Sequence, residues 1–159
     1  MTVFLCAKCS TELTPNLIRL HYVPEVADDF GRTRRGQHLA ASTIPQGNYA
    51  IEPEPWGAPF VHSPDGNPVP CQPRGLPCGS RDGYLISAGP RNTVVIHPDD
   101  APLLQPLPGF KNSNGCCGPD GMQGPNRACP CGTALATLAA DCEGPYELHL
   151  DPVRVFPLD

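Results

Sequence analysis

The nine cysteines of this chain are placed so that its two ends have reason to meet. Cys6-Ala-Lys-Cys9 opens the sequence, and five more thiols crowd between Gly115 and Glu143: Cys116, Cys117, Cys129, Cys131 and Cys142. Zinc in structural sites takes four tetrahedral ligands, and thiolates suit it well. Cys6-x-x-Cys9 offers two sulfurs from one tight turn. Cys129-Pro130-Cys131-Gly132 offers two more, at a spacing one residue shorter than the usual gap. Pro130 stiffens that turn, and Gly132 is free to take a positive φ where the chain doubles back. The expected metal site is Zn2+ on Cys6, Cys9, Cys129 and Cys131.

The remaining thiols fall into two groups. Adjacent residues do not easily chelate one small ion without distortion. Cys116 or Cys117 is therefore expected either to replace a member of the second pair or to pack beside it. Cys142 sits between Asp141 and Glu143, whose carboxylates raise a thiol pKa; it is expected to be buried or metal-bound rather than nucleophilic. Two separate ions on seven thiols would need an eighth ligand. His149 is the candidate, although the surface of its strand is the expected place for it. Cys71 and Cys78 carry no ligand signature and read as incidental thiols, a redox-dependent link between them being the lesser alternative.

Prolines set the second constraint. The chain has 22 prolines and 16 glycines in 159 residues, about twice the usual share. Nine of the prolines lie between Ile44 and Gly79. Each removes a backbone donor and restricts the residue before it, which excludes a helix there. Residues 44–79 are expected to form an extended, proline-rich strap, with Trp56 and Phe60 packing it onto the core. Residues 27–43 are polar and aperiodic and read as a flexible loop. With no clean break in composition, 1–159 is expected to be a single domain.

The strand signals lie in the second half. Gly83-Tyr-Leu-Ile-Ser-Ala and Asn92-Thr-Val-Val-Ile-His are rich in β-branched and aromatic residues, and Gly89-Pro90-Arg91-Asn92 between them predicts an antiparallel hairpin. His97-Pro-Asp-Asp predicts one helical turn capped by Asp99. Thr133–Ala140 has helical composition, but Tyr146-Glu-Leu-His-Leu150 alternates as a half-buried strand does. A strand, the turn Glu143-Gly-Pro145 and a second strand is the preferred reading. Residues 115–150 then form a Cys-rich loop plus hairpin. The expected fold is mostly β with extensive irregular loops, its small antiparallel sheet and hairpins carrying a zinc-ribbon-like thiolate site that joins the N- and C-terminal regions.

Gly115-Cys-Cys-Gly-Pro-Asp-Gly, Gly124-Pro-Asn-Arg-Ala-Cys-Pro-Cys-Gly, Ala140-Asp-Cys142 and Trp56-Gly-Ala-Pro-Phe60 together resemble small uncharacterised bacterial cysteine-rich proteins with zinc-ribbon-like features. The resemblance implies a metal-thiolate element and no particular activity.

Several functional classes are disfavoured. A net charge of −5 argues against nucleic acid as a partner, since such binders normally present a basic face. No apolar stretch approaches the ~20 residues that span a membrane. The apolar run at Met1–Cys6 is too short for a signal peptide, and a cytoplasmic location, where thiols stay reduced, is expected. No H-E-x-x-H, phosphate loop or G-x-S-x-G elbow is present, so an enzyme is the less favoured reading. The expected function is a small zinc-stabilised binding or adaptor protein acting through protein–protein contacts. The alternative is a thiol-redox or metal-handling protein, such as a zinc or copper buffer.

Overall fold

The computed structural model describes residues 1–25, 41–142 and 144–159, together with the backbone of 33–34 and 37–38. Its strands are β1 (Val3–Cys6), β2 (Ile18–Arg19), β3 (Thr33–Arg34), β4 (Gln37–His38), β5 (Asn48–Glu52), β6 (Phe60–His62) and β7 (Cys78–Ser80), then β8 (Gly83–Ser87), β9 (Thr93–Ile96), β10 (Gln105–Pro106), β11 (Arg127–Ala128), β12 (Ala134–Ala139), β13 (Glu147–Leu150) and β14 (Val155–Leu158). Among the described residues the fold is mostly β, and the helical pieces are single 3-10 turns at Pro98–Asp100 and Pro108–Phe110. None is long and apolar enough to cross a membrane.

Seven strands make the main sheet, in the order β10-β11-β12-β13-β9-β5-β2. Its pairings are antiparallel except β2 with β5. Because strand side chains alternate between faces, register assigns each residue to a side. Leu148 and Leu150 on β13 pair with Ile96 and Val94 on β9, and Leu150 with Ala136 on β12. These residues are buried and form one face of the core. Each such buried leucine, isoleucine or valine contributes roughly 1.5–3 kcal/mol through burial. The β1–β14 ribbon, pairing Cys6 with Val155, packs over this face. Phe4 of the ribbon meets Tyr49 of β5 edge to face, with ring centroids 5.0 Å apart.

The opposite face is mixed, because beside the small apolar cluster of Ile44, Ala50 and Val95 it buries a group of polar residues. Glu52, Thr93, Glu147 and His149 all project there and are almost fully buried. The strap covers them. Trp56 lies flat on His149, with centroids 3.5 Å apart and planes 7° from parallel. Arg74 reaches from the strap to Glu52 at 2.5 Å and to Glu147 at 2.6 Å. The expected surface position of His149 is therefore wrong. Alternation placed it correctly on the second face of β13, but that face lies under the strap.

Two further expectations are corrected. Residues 44–79 are not a strap throughout, since Asn48–Glu52, though extended, is an interior strand of the main sheet. Pro45 and Pro53 flank that run and no proline interrupts it, so every donor the ladder needs is available. The two strands expected to pair as a hairpin exist, but β8 pairs with β6 and β7, whereas β9 pairs with β5 and β13. The strap holds the connection between them. Trp56 N donates to Pro90 O, and the Ser87 hydroxyl to Gly57 O. A Cβ on Gly89 would come within 2.3 Å of Trp56 O, so only glycine permits this approach.

At Pro98–Asp100 the cap is His97, whose Nδ1 accepts from Asp99 N, rather than Asp99. Trp56 does pack onto the core, while Phe60 is only partly covered. Of the loop expected at 27–43, most lies outside the described residues. Its described part includes a two-residue β3–β4 ladder and a bridge from Ser42 to Tyr146.

Candidate metal centre

Both ends of the chain deliver a turn to the same place. Cys6 closes β1, and the chain reverses through Ala7-Lys8-Cys9, with Ser10 N donating to Cys6 O and Cys6 N to Thr11 O. The second turn joins β11 to β12. There Cys129 N donates to Thr133 O and Gly132 N to Cys129 O, with Gly132 at φ +92°. The buried Asn126 amide fixes this hairpin: its oxygen accepts from Leu138 N and its NH2 donates to Leu138 O. Arg154, just before β14, links the two regions: Ala7 N donates to its carbonyl O, and its guanidinium donates to Ala134 O.

The four sulfurs of Cys6, Cys9, Cys129 and Cys131 all lie within 4.8 Å of one another. Cys6 Sγ is 3.8 Å from Cys131 Sγ, and Cys9 Sγ is 3.6 Å from Cys129 Sγ. A tetrahedral ion with metal–sulfur bonds of about 2.3 Å requires sulfur–sulfur edges of about 3.8 Å. The two distances are opposite edges of such a figure, each joining one turn to the other. The set fits a metal ion. Cys6 and Cys129 form the buried half, Cys9 and Cys131 the exposed half.

Each turn also carries a threonine two residues beyond its second cysteine. The Thr11 hydroxyl lies 3.1 Å from Cys9 Sγ, and that of Thr133 lies 3.2 Å from Cys131 Sγ. Hydroxyl and backbone donors aimed at sulfur favour the thiolate. The Thr133 hydroxyl, then its backbone N–H, lower Cys131 to about 6, and Thr11 lowers Cys9 in the same way. Burial pushes Cys129 the other way, up to about 12. The exposed half is thus biased toward the thiolate form, and an ion would offset the cost of ionising Cys129.

The thiols whose role the spacing left open form a separate group. Cys116, Cys117 and Cys142 also bring their sulfurs within 4.8 Å of one another, and the adjacent pair is 3.8 Å apart. Cys117 N and Cys142 N both donate to Asp141 Oδ1, which ties the Gly-rich loop to the turn between β12 and β13. This trio can hold a metal ion as well, so neither adjacent cysteine is drawn into the first quartet. Its electrostatics are opposite. Burial, the Cys117 thiol and the Asp141 carboxylate push Cys142 up to about 12; burial and Cys116 raise Cys117. His149 takes no part in either group, since both of its ring nitrogens are engaged, by Thr93 at 2.8 Å and Glu147 at 2.7 Å.

The chain matches no protein-family model, no curated protein and no solved structure. What the two thiol groups do has to follow from their own geometry. The buried polar face is a feature that sequence reasoning missed. Glu147 is held down to about 2 against its burial by hydrogen bonds from His149 and Arg74, while burial lowers His149. An ionised Glu147 can only accept, so His149 Nε2–H donates to it and Nδ1 accepts from the Thr93 hydroxyl. With both nitrogens occupied and Thr93 buried, the arrangement fastens the strap and offers no free base.

Proposed function

We propose that this chain is a small zinc-stabilised binding or adaptor protein that acts through contacts with a protein partner. The observation that carries the proposal is the Cys6–Cys9–Cys129–Cys131 quartet, with opposite edges of 3.8 and 3.6 Å. Four protein thiolates fill a tetrahedral ion and leave no position for a substrate, which is the pattern of a structural rather than a catalytic metal. The two zinc-ribbon-like turns would then clamp β1 to the β11–β12 hairpin, and zinc binding would contribute directly to folding.

A contact surface for a partner is available where the ribbon meets the sheet. A groove of about 240 Å³ is lined there by Phe4, Tyr49, Ile51, Val94 and Pro157, with Arg19 also lining it. Its apolar walls suit an extended apolar segment of a partner. Purified native protein is expected to contain tightly held zinc and to lose its cooperative fold when a strong chelator removes it. A metal-free protein that is equally stable overturns the reading.

A metal-handling role is the second reading, favoured by the trio Cys116, Cys117 and Cys142. Cys116 and Cys117 are exposed, and three ligands leave one position open for exchange. Competition with a chromophoric chelator separates the two. A buffer gives up an ion from the trio while the quartet keeps its own, and Cys142→Ser abolishes only the exchangeable fraction.

A further inference from the structure

Cys71 and Cys78 are the thiols that neither metal group uses. They begin and end an eight-residue hairpin in the strap. The backbone bridges Pro70 to Pro77, Cys71 N donates to Leu76 O, and Gly75 N donates to Gln72 O across the turn. Outside the hairpin, Ser87 N donates to Cys71 O, and Cys78 pairs with Leu85 in the β7–β8 ladder. Both side chains are therefore aimed at each other from fixed backbone.

Their sulfurs are 2.6 Å apart. That is a full ångström closer than the sulfurs of the quartet, and too close for two thiolates sharing an ion, which need about 3.8 Å. It lies near the ~2.05 Å of a sulfur–sulfur bond. Burial and the neighbouring Cys78 push the Cys71 thiol up to about 12, and Cys71 is enclosed, whereas Cys78 is partly exposed. An oxidant in solution reaches Cys78 first.

The hairpin they close carries the fastening of the strap. Arg74, at its tip, donates to Glu52 and Glu147, and Gln72 Oε1 accepts from Gly57 N beside Trp56. We propose that Cys71 and Cys78 are a redox-modification site, forming an intrachain disulfide that locks the Arg74 hairpin onto the buried polar face of the sheet. The oxidant is a low-molecular-weight disulfide of the glutathione class. The Cys78 thiolate attacks one of its sulfurs, releasing one thiol and leaving a mixed disulfide. Cys71, losing its proton to solvent, attacks Cys78 Sγ and releases the second thiol. Two protein thiols are oxidised to one disulfide, and one small disulfide is reduced to two thiols.

The test uses the full-length, zinc-loaded protein incubated with oxidised glutathione, followed by alkylation and peptide mapping. A loss of two hydrogens is expected on a peptide linking Cys71 to Cys78, reversed by a phosphine reductant. Closing a ring of this size is expected to raise the thermal midpoint by about 5 °C. Cys78→Ser is expected to keep the reduced protein's midpoint within a few degrees and to lose the rise on oxidation. Complete alkylation of Cys71 and Cys78 after oxidation overturns the proposal. So does a stable mixed disulfide, or a disulfide that maps instead among Cys116, Cys117 and Cys142. A midpoint that rises equally in Cys78→Ser also overturns it.

Discussion

Cys6 and Cys131 are 125 positions apart in the chain, yet their sulfurs are 3.8 Å apart. The two turns meet at the edge of the apolar core, where Cys6 and Cys129 are buried in one cluster with Leu13, Leu135 and Val155. A metal ion on the four sulfurs is expected to add a direct link to that apolar contact. Cys131→Ser should release the quartet's ion and lower the thermal midpoint by about 10 °C or more, the scale expected if several kcal/mol of zinc-binding energy is folding energy. Cys142→Ser should leave that midpoint nearly unchanged. Elemental analysis alongside calorimetry checks both, and equal effects from the two variants would refute the assignment.

The paired threonines make a finer prediction. Thr11 and Thr133 stabilise the Cys9 and Cys131 thiolates, so removing their hydroxyls lets protons compete better with the metal. Thr133→Val is expected to weaken metal binding by the quartet about 10- to 100-fold, the usual scale for outer partners of a metal ligand. The sign follows from the lowered Cys131 value. Without the donor the thiol pKa rises, and a metal ion should leave at a higher pH than in the unaltered protein. A chelator titration repeated across pH 5–8 reads this directly.

Arg74 holds two buried carboxylates at once, and among the described residues no other lysine or arginine is paired with either, Glu147's second partner being His149. Removing one member of a buried ionic set strands the others, at a cost of about 3–5 kcal/mol. Arg74→Met is expected to lose that amount in urea unfolding. Arg74→Met combined with Glu147→Gln should recover part of it, because the second change removes a stranded charge. A double variant no more stable than the single one would count against the ion pairs as the cause.

The convergence of the cysteine quartet was legible because its spacing is local: each pair of cysteines lies in one turn, and turn geometry is set by a few residues. The β12–β13 hairpin was legible for the same reason, with the alternation of Tyr146 to Leu150 choosing strand over the helical composition of Thr133–Ala140. What failed was long-range. Arg74 meets Glu147 across 73 positions, and nothing in either neighbourhood announces it. The strap that buries His149 also separates β8 from β9, so one hidden packing decision undid both the histidine's expected exposure and the expected hairpin. Cys71 and Cys78 show the same limit on a smaller scale, since the turn that joins them depends on the bridge from Pro70 to Pro77.

The stack of Trp56 on His149 turns the polar face into a spectroscopic reporter, as Trp56 is the chain's only tryptophan. Burial lowers His149 below its ordinary value of about 6.5, so the unfolded chain binds a proton there before the folded protein does. Its share of stability is complete above about pH 6.5 and declines as pH falls below it, by at most about 1.4 kcal/mol per pH unit. Glu147, held at about 2, adds a second loss only below the ordinary carboxylate value of about 4.3. Urea unfolding followed by Trp56 fluorescence should therefore show stability falling between pH 6.5 and 5. His149→Gln keeps a donor for Glu147 and an acceptor for Thr93 but cannot titrate, and is expected to flatten that decline. Parallel slopes in the two proteins would place the acid sensitivity elsewhere, in the thiolates of the metal sites.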